Sequence, residues 1–323
     1  MLYRDLEDRL FGAPGRWHMK KCPNSDCGLI WLDPMPLEED INKAYENYFT
    51  HQDTNQCRNT FSIRFSRKVM EAYWAKKYGY YNYAIKGWQK LIGILIYFYP
   101  PKHAHIDRKV MYLPAHPRGR LLDIGCGSGK WLQFMHNLGW CIEGVEIDPF
   151  VVHAAQKMGS PIHLGTLEAQ KYPDNFFDAI TLSHLIEHVR DPMKLLQECY
   201  RIIKSGGKLV IVTPNSESLG HALFKANWRG LEPPRHLIIM SANAIQNAIK
   251  GVGFKIELVR TNVCSGYMLQ ASYALSKKRA LRNGTGIWKG MEYHLANFAA
   301  LLQYAVSYIR PNSGEEIHLV ATK

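Results

Sequence analysis

The stretch that decides the fold is Leu121-Leu122-Asp123-Ile124-Gly125-Cys126-Gly127-Ser128-Gly129-Lys130. An apolar strand pattern ends in three alternating glycines, and a helical pattern begins directly after them. Glycine permits the tight turn and lets backbone N–H groups approach a ligand closely. The loop is neither a Walker A sequence nor the dinucleotide-binding G-x-G-x-x-G, because Gly129 comes one position too early for the latter. The stretch predicts a ligand-binding strand–turn–helix unit; a tight turn without a ligand is the alternative.

Short apolar runs alternate with helical stretches over residues 120–262, which is typical of a parallel α/β sheet. Strands are predicted at Arg120–Ile124, Cys141–Ile147, Pro161–Leu164, Phe177–Leu182, Lys208–Thr213, Phe254–Arg260 and Glu316–Ala321. Helices are predicted at Lys130–Leu138, Phe150–Met158, Pro192–Ile203 and Ala242–Lys250. The predicted fold is therefore α/β, with a seven-stranded, mostly parallel sheet.

Composition excludes several classes of protein. The chain has 323 residues, of which 46% are hydrophobic and 21% charged, a balance typical of globular rather than disordered or fibrous proteins. Its longest apolar stretch, residues 91–99, is too short for a bilayer span of about 20 residues. No charged-then-apolar leader opens the sequence, which predicts a cytoplasmic protein with reduced cysteines.

The net charge of +12 is unevenly distributed along the chain. It is −4 in residues 1–57, +10 in 58–118, zero in 119–249 and +6 in 250–323. Basic and aromatic residues alternate in 61–99, and Lys277–Arg282 repeat that chemistry. Three interpretations stay open: a solvated face, a site for a phosphate-bearing substrate, or peripheral association with an anionic membrane at its inner face. Nucleic acid is disfavoured, because no RNA-binding module is recognisable.

The second predicted strand ends in Gly144-Val145-Glu146-Ile147-Asp148-Pro149. An acidic residue about 20 residues beyond a glycine loop is placed to accept hydrogen bonds from ribose hydroxyls. It also disfavours a 2′-phosphate, and so NADP. Glu146 is the predicted ribose ligand; an ordinary strand-end carboxylate is the alternative.

These motifs resemble those of the Rossmann-like S-adenosylmethionine (SAM)-dependent methyltransferases. The string LLDIGCGSG at 121–129 is similar to their first motif, GVEIDP at 144–149 to their second, and PDNFFD at 173–178 to the entry of their fourth strand. The resemblance covers roughly residues 119–262 and implies a Rossmann-like fold, SAM as cofactor and methyl transfer as activity. It implies a set of cofactor-binding residues: Asp123, Gly125, Cys126, Gly127, Gly129, Glu146, Ile147, Thr166, Leu167, Glu168 and Ser183. Many relatives have Asp at the position of Thr166, so Glu168 or backbone groups are the alternatives for contacting the adenine.

A narrower resemblance lies outside the sheet. The segments 28–34, with Tyr45 after them, and 228–237 are similar to bacterial methyltransferases commonly found with surface-polysaccharide and glycolipid genes. This implies a saccharide or glycolipid acceptor. The predicted organisation has a cysteine-pair segment at 1–36, a basic helical cap at 37–118 and a methyltransferase domain at 119–323, with a helical insertion at about 264–312.

The string His184-Leu185-Ile186-Glu187-His188 follows the fourth predicted strand. It reads as H-x-x-E-H, but that zinc-protease signature must lie on a helix, and this string lies in a loop. Ligands of open α/β sheets bind beyond the carboxyl ends of the strands, so these side chains can face the acceptor. The string also resembles the E-x-x-E-H of ubiquinone-biosynthesis O-methyltransferases, which implies a divalent metal, with His184 replacing the first Glu. Loop organisation, substrate contact and metal binding all stay open.

Methyl transfer to a hydroxyl group requires removal of a proton, and the pKa of histidine suits that near neutrality. The candidate bases are His184, His188 and His236; the candidate substrate contacts are Glu187 and Arg235, whose guanidinium suits a carboxylate or phosphate. Each can instead be a structural hydrogen-bonding residue. The predicted function is methyl transfer from SAM to a hydroxyl, or another nucleophile, of a small-molecule, saccharide or glycolipid acceptor. A quinone-type O-methyltransferase with a divalent metal and a non-catalytic SAM-binding protein are the alternatives.

The pair Cys22 and Cys27 has the C-x₄-C spacing of a zinc knuckle. A structural zinc site needs four ligands, and His18, His51 and Cys57 are the other candidates. Related chains have a further cysteine-rich turn upstream, so the expectation is that the sequence lacks half of a zinc ribbon. Two unligated thiols are the alternative.

Overall fold

Two β-sheets organise the described part of the chain. The computed structural model describes residues 1–45, 61–81, 103–157, 159–263, 267–277 and 291–323. The strands are β1 (Tyr3–Leu6), β2 (Trp17–Lys21), β3 (Ile30–Leu32), β4 (Arg120–Ile124), β5 (Cys141–Glu146), β6 (Ile162–Leu164), β7 (Phe177–Ser183), β8 (Ile203–Pro214), β9 (Ile238–Ile239), β10 (Lys255–Asn262) and β11 (Glu316–Thr322). The helices are α1 (Phe61–Tyr78), α2 (His103–Lys109), α3 (Lys130–Asn137), α4 (Pro149–Lys157), α5 (Pro192–Ile202), α6 (Leu219–Phe224), α7 (Ala242–Val252), α8 (Tyr267–Ser276) and α9 (Met291–Ile309).

The central sheet has seven strands in the order β10-β11-β8-β7-β4-β5-β6. β6, β5, β4, β7 and β8 run parallel to one another. β11 is antiparallel to both of its neighbours, β8 and β10. The mostly parallel, seven-stranded α/β sheet predicted from the sequence is thus confirmed.

Strand β8 is the main departure from the predicted boundaries of this sheet. It begins at Ile203 instead of Lys208, although the sequence predicts that Ser205-Gly206-Gly207 close helix α5. Ile203 already pairs with Phe177 of β7, and Gly206 takes the bend at a φ of +77°. Pairing with the neighbouring strand therefore outweighs the helix-ending tendency of the glycines.

Both faces of the central sheet are buried. Consecutive residues of a strand point to opposite faces, so Leu121 and Leu122 pack into different apolar clusters. One cluster includes side chains of α5 and α7, and the other includes side chains of α1, α2, α3 and α4. Parallel strands covered on both faces need continuous apolar runs, which explains why the strand signals in the sequence are so clear.

A second, antiparallel sheet joins the N-terminal segment to a distant part of the chain. Its order is β1-β2-β3-β9, and Met19, Ile30 and Trp228 lie in its apolar cluster. No strand is predicted here from the sequence, because these strands have only two to five residues and β9 comes some 200 residues after β3. The N-terminal segment is therefore integrated with residues 228–239.

The basic helical flank packs against the central sheet. Tyr73 and Trp74 of α1 are buried beside α2, and the ammonium of Lys77 binds the buried carboxylate of Asp107 at 2.6 Å. Within the described residues, no helix is both long and apolar enough to cross a bilayer.

Several predictions fall wholly or partly on residues that the structure does not describe. The sequence also predicts a helix over Leu37–Phe49 within the basic cap, since acidic residues stand in its first turn. This segment is described only to Tyr45 and contains the 3-10 helix Glu38–Ala44. The apolar stretch 91–99, the possible zinc ligands His51 and Cys57, and residues 278–282 of the basic run lie outside the described residues.

Candidate active site

The glycine loop after β4 has an open side. Gly125, Gly127 and Gly129 all have positive φ, at +72°, +52° and +68°, where a side chain is strained. A Cβ at Gly125 would lie 2.9 Å from Leu185, and one at Gly129 would lie 2.7 Å from Ile162. A Cβ at Gly127 would meet nothing within 4 Å. The loop is therefore tightly packed at both ends and borders open space at its centre, where a ligand can contact the backbone.

Glu146 at the end of β5 holds this loop. One carboxylate oxygen accepts a hydrogen bond from the N–H of Gly127 at 2.9 Å. The other accepts from the N–H groups of Ile147 and Asp148 at 2.8 and 3.2 Å. Because each carboxylate oxygen has two lone pairs, the group can still accept hydrogen bonds from a ligand. Glu146 thus places a negative charge beside the open centre of the loop.

Asp123 near the end of β4 and Cys126 within the loop are the ionisable groups next to the glycines. Asp123 is buried and accepts a hydrogen bond from the Thr181 hydroxyl at 2.6 Å. Burial raises the pKa of this carboxyl to about 7, against the opposing effect of that hydrogen bond. Burial also raises the pKa of the Cys126 thiol, which is therefore protonated. The Asp123 carboxyl, whose pKa is near neutrality, is thus a buried part of the site.

The segment after β6 has polar and apolar side chains side by side. Leu167 is buried, whereas Thr166 and Glu168 are exposed, and the Thr166 hydroxyl accepts a hydrogen bond from the N–H of Ala169 at 3.4 Å. Large apolar side chains are exposed along the same strand ends: Ile147, Phe150 and Leu164. Such a surface suits a flat aromatic ring. Residues 123–129, 146–150 and 164–170 together are called the cofactor half below.

His184, which follows Ser183 at the end of β7, lies between two carboxylates. Its Nδ1 is 3.3 Å from Glu187, and its Nε2 is 3.3 Å from Glu316. Burial opposes protonation of this imidazole, but the two carboxylates outweigh burial and raise its pKa to about 9. Arg108 binds Glu316 at 2.9 Å. The two carboxylates thus favour the imidazolium form of His184, whereas the Nη2 of Arg108, 3.2 Å from its Nε2, opposes it.

Glu187 is the buried centre of the loop. It accepts a hydrogen bond from the Thr213 hydroxyl at 2.9 Å. Burial alone would raise the pKa of this carboxyl, but His184 at 3.3 Å and the imidazoles of His188 and His236 lower it to about 2. Glu187 is thus a fixed negative charge beneath the histidines.

His188 and His236 face each other, with ring centroids 4.8 Å apart and planes at 75°. The Nδ1–H of His236 donates to the Gly230 carbonyl at 2.7 Å, which leaves Nε2 as an acceptor. Burial lowers the pKa of His236 to about 4, although Glu232 opposes this. The Tyr45 hydroxyl lies 2.9 Å from Nδ1 of His188. His236 is therefore neutral with a defined tautomer.

One carboxylate and two imidazoles converge here. Ligand atoms of Glu187, His188 and His236 all lie within 4.8 Å of one another. A site with one carboxylate and two imidazoles suits Zn²⁺ or Mn²⁺ better than Mg²⁺, which prefers oxygen ligands. The cluster contains Glu187 and His188 of the E-x-x-E-H-like string, but His236 and not His184 is the third member, so the residues fit a divalent metal with a ligand set other than the one the resemblance implies.

Arg235 is committed to buried ion pairs. Its Nη1 binds Asp8 at 2.9 Å and its Nε binds Glu232 at 2.8 Å. Nη1 also donates to the Ala44 carbonyl at 2.8 Å. The Arg235 side chain is fully buried. Its guanidinium therefore connects the loop before β9 to the N-terminal strands and to the segment around Ala44, and it is not exposed to a ligand. Tyr45, residues 184–188 and residues 213–237 together are called the acceptor half below.

Cys22 and Cys27 lie in the turn between β2 and β3, next to each other. The carbonyls of Cys27 and Gly28 accept hydrogen bonds from the hydroxyls of Ser241 and Ser216. Within the described ranges, this pair is not joined by a third His, Cys, Asp or Glu in a metal-binding group. The cysteine turn therefore packs on the loops that follow β8 and β9.

The structure brings the predicted side chains together in these two halves at one edge of the central sheet. Sequence reasoning missed Asp8, Arg108, Thr213 and Glu316. Glu316 carried a signal, because a carboxylate opens a strand whose residues are otherwise mostly apolar. β11 is antiparallel to β8, and Glu316 pairs with Pro214, so the first residue of β11 lies at the edge where β8 ends.

Comparison with known proteins finds similarity to a family over part of the chain. Residues 102–259 match a family model described as a methyltransferase domain. This part of the chain is thus similar to a methyltransferase domain, and the match includes the motifs at 121–129, 144–149 and 173–178. The match does not include the N-terminal cysteine-pair segment.

Two similar proteins are ubiquinone biosynthesis O-methyltransferases. The one from Xanthomonas oryzae pv. oryzae (strain PXO99A) is 31% identical over 134 residues, which cover 38% of this chain and 56% of that protein. The one from Parvibaculum lavamentivorans is 36% identical over 152 residues, which cover 43% of this chain and 59% of that protein. The chain thus spans little more than half the length of these relatives. A solved structure of a SAM-dependent methyltransferase from Archaeoglobus fulgidus is 20% identical, with a TM-score of 0.47, and the match covers 68% of this chain and 92% of that one.

Proposed function

We propose that this chain is a SAM-dependent methyltransferase that transfers the methyl group of SAM to a hydroxyl group of a small-molecule acceptor. One observation carries the proposal: the open centre of the glycine loop at Gly127, with Glu146 beside it, shares a sheet edge with the cluster of Glu187, His188 and His236. The methyltransferase-domain match supports the same reaction class.

SAM is the proposed occupant of the cofactor half. Glu146 would accept hydrogen bonds from the ribose, and Ile147, Leu164 and Leu167 would contact the adenine. Asp123 and the glycine loop would face the methionine part. The sulfonium makes the methyl group electrophilic, so the task of the protein is to exclude water and to align the acceptor oxygen.

His236 is the proposed base that receives the acceptor proton. Its Nδ1–H is fixed on the Gly230 carbonyl, so Nε2 is available to accept a proton. His188, 4.8 Å away between ring centroids, would orient the acceptor. His184, whose protonated form the two carboxylates favour, would instead balance the charge of Glu187 and Glu316.

Two acceptor classes fit the acceptor half. A saccharide or glycolipid is proposed from the resemblance of residues 28–34 and 228–237. A quinone-type phenol is the second candidate, favoured by the convergence of Glu187, His188 and His236, because a divalent metal held there would lower the pKa of the phenol. Chelation followed by addition of Zn²⁺ or Mn²⁺, read out as a shift in the thermal unfolding temperature as well as in activity, distinguishes the two.

The test of the proposed function measures binding and turnover separately. Calorimetry with SAM should give a stoichiometry of one, and incubation with SAM and a panel of phenols and sugars should yield S-adenosylhomocysteine with an acceptor that gains one methyl group. Binding without turnover across the panel would favour the non-catalytic SAM-binding alternative. Absence of SAM binding would contradict the proposal itself.

A further inference from the structure

Helix α9 carries an apolar stripe on its outer face. Among its described side chains, Leu301, Leu302, Tyr308 and Ile309 are 50%, 52%, 67% and 84% exposed, and Ala305 between them is exposed as well. Their spacing of i, i+1, i+4, i+7 and i+8 places all five on one face of a helix. The stripe is therefore continuous along the last turns of α9.

The buried side chain among the described residues of the same helix is polar. Gln303 is buried, and its amide donates to the carboxylate of Glu315 at 2.6 Å. A helix that turns glutamine inward and leucine outward reverses the pattern of a water-facing helix. Large contiguous apolar patches on a protein surface mark interaction sites.

Neighbouring helices extend this outward face. α8 contacts both α6 and α9. Leu223 of α6 is 64% exposed and Tyr273 of α8 is 43% exposed. The docking face defined here comprises the exposed side chains of α6, α8 and α9.

A basic residue follows each helix of the docking face, whereas the exposed Glu217 precedes α6. Lys225, Lys277 and Arg310 follow directly after α6, α8 and α9, and all three are exposed. Among the described side chains of these three helices there is no Asp or Glu. The ammonium of Lys277 lies 5.6 Å from the centroid of the Tyr273 ring.

We propose that the docking face binds the surface of an anionic phospholipid bilayer. Leucine, isoleucine and tyrosine side chains suit the boundary between headgroups and acyl chains, and lysine and arginine suit anionic headgroups. A second copy of the chain is a poorer occupant, because a two-fold interface would bring like charges together. The proposal goes beyond methyl transfer and does not depend on it.

Co-sedimentation of the full chain with vesicles tests the proposal. Vesicles of phosphatidylglycerol mixed with phosphatidylcholine should bind the protein at low salt, and pure phosphatidylcholine vesicles should bind it at least tenfold less. Raising the salt from about 0.1 M to 1 M shortens the Debye length from about 10 Å to 3 Å, so binding should weaken but not vanish. The apolar stripe accounts for the residual binding.

Two variants separate the contributions. The double variant L302E/I309E places charge in the stripe, and K277E/R310E reverses the flanking cations; each should lower the vesicle partition coefficient at least tenfold. M193E, which changes an exposed methionine of α5, is the matched control and should bind like the wild type. Unchanged binding of both double variants, or equal binding to both vesicle types, would overturn the proposal. So would concentration-dependent dimerisation that L302E/I309E abolishes without any vesicle binding, because the face would then be an interface between copies.

Discussion

The cofactor half and the acceptor half of the candidate site are assembled in different ways. The cofactor half comes from one continuous stretch, residues 123–170, and is held by hydrogen bonds between the Glu146 carboxylate and nearby backbone N–H groups. The acceptor half is drawn from three separate parts of the chain, which are joined by contacts such as Tyr45 with His188 and Glu187 with Thr213. A buried ion pair between Arg235 and Asp8, which are 227 residues apart, links this half to the N-terminal segment. Nearby contacts thus form the first half and distant contacts form the second. Changes in one half should therefore leave the other largely intact.

The sharpest test of this independence is His236→Gln. Loss of the proposed base should lower turnover about 10²–10⁴-fold, because a base acts on the acceptor alone. The dissociation constant for SAM should stay within about twofold of the wild-type value. Steady-state kinetics together with calorimetry measure the two effects, and His153→Gln on the exposed face of α4 is the control.

A comparable loss of kcat and of SAM affinity in His236→Gln would break the comparison. It would indicate that the two halves act as one unit, or that the imidazole has a purely structural role.

Stability provides the second test. Arg235→Met should leave Asp8 and Glu232 buried without their cation and lower the free energy of unfolding by about 3–5 kcal/mol. The loss should be localised, with faster proteolysis of residues 1–45 and with SAM still bound by the remaining fold. Urea unfolding and limited proteolysis check both effects.

The matched control for Arg235→Met is Arg16→Met. Arg16 pairs with Glu7 at 3.2 Å, and both side chains are mostly exposed, so its removal should change the free energy of unfolding by no more than about 1 kcal/mol. If both variants lost the same free energy of unfolding, the buried pair of Arg235 and Asp8 would contribute no more than an exposed pair. It would then not be the link between these distant segments.

Glu146→Ala addresses the cofactor half. Removal of the carboxylate frees the N–H of Gly127 and deletes the proposed ribose acceptor, so the affinity for SAM should fall about 10–100-fold. The apolar residues of β5 are untouched, so the fold should survive. Calorimetry measures the change, with Glu143→Ala on the same strand as the control; an unchanged affinity would show that the ribose assignment is wrong.

The smallest expected effect concerns Asp123. Because burial raises its pKa in the folded chain to about 7, above the value of 3.8 for an isolated carboxyl, ionisation opposes folding as the pH rises through this interval. A cationic ligand such as SAM favours the ionised form, so binding should release protons and strengthen by up to about tenfold between pH 6 and 8. Calorimetry in buffers of different ionisation enthalpy measures the released protons; Asp123→Asn should release none.

The same division separates what the sequence could predict from what it could not. The strands of the central sheet, the glycine loop and Glu146 are predictable, because each signal lies within a short window and buried parallel strands are uniformly apolar. The strands β1, β2 and β3 are not, because their partner β9 has two residues and lies far along the chain. From the sequence, Arg235 is a candidate for binding a carboxylate or phosphate of the substrate. The structure is needed to see that its guanidinium is buried and paired with Asp8.

The antiparallel strand β11 has a consequence for biosynthesis. β11 lies between β8 and β10 in the finished sheet, yet the ribosome must add residues 263–315 after β10 before β11 begins. At about 5–20 residues per second this takes roughly 3–10 s. During that interval the edge of β8, with its run Leu209-Val210-Ile211-Val212, has no partner, and an unpaired apolar edge is a template for association with other chains. The nascent chain therefore passes through a period in which aggregation competes with folding, and chaperone supply should raise the soluble yield.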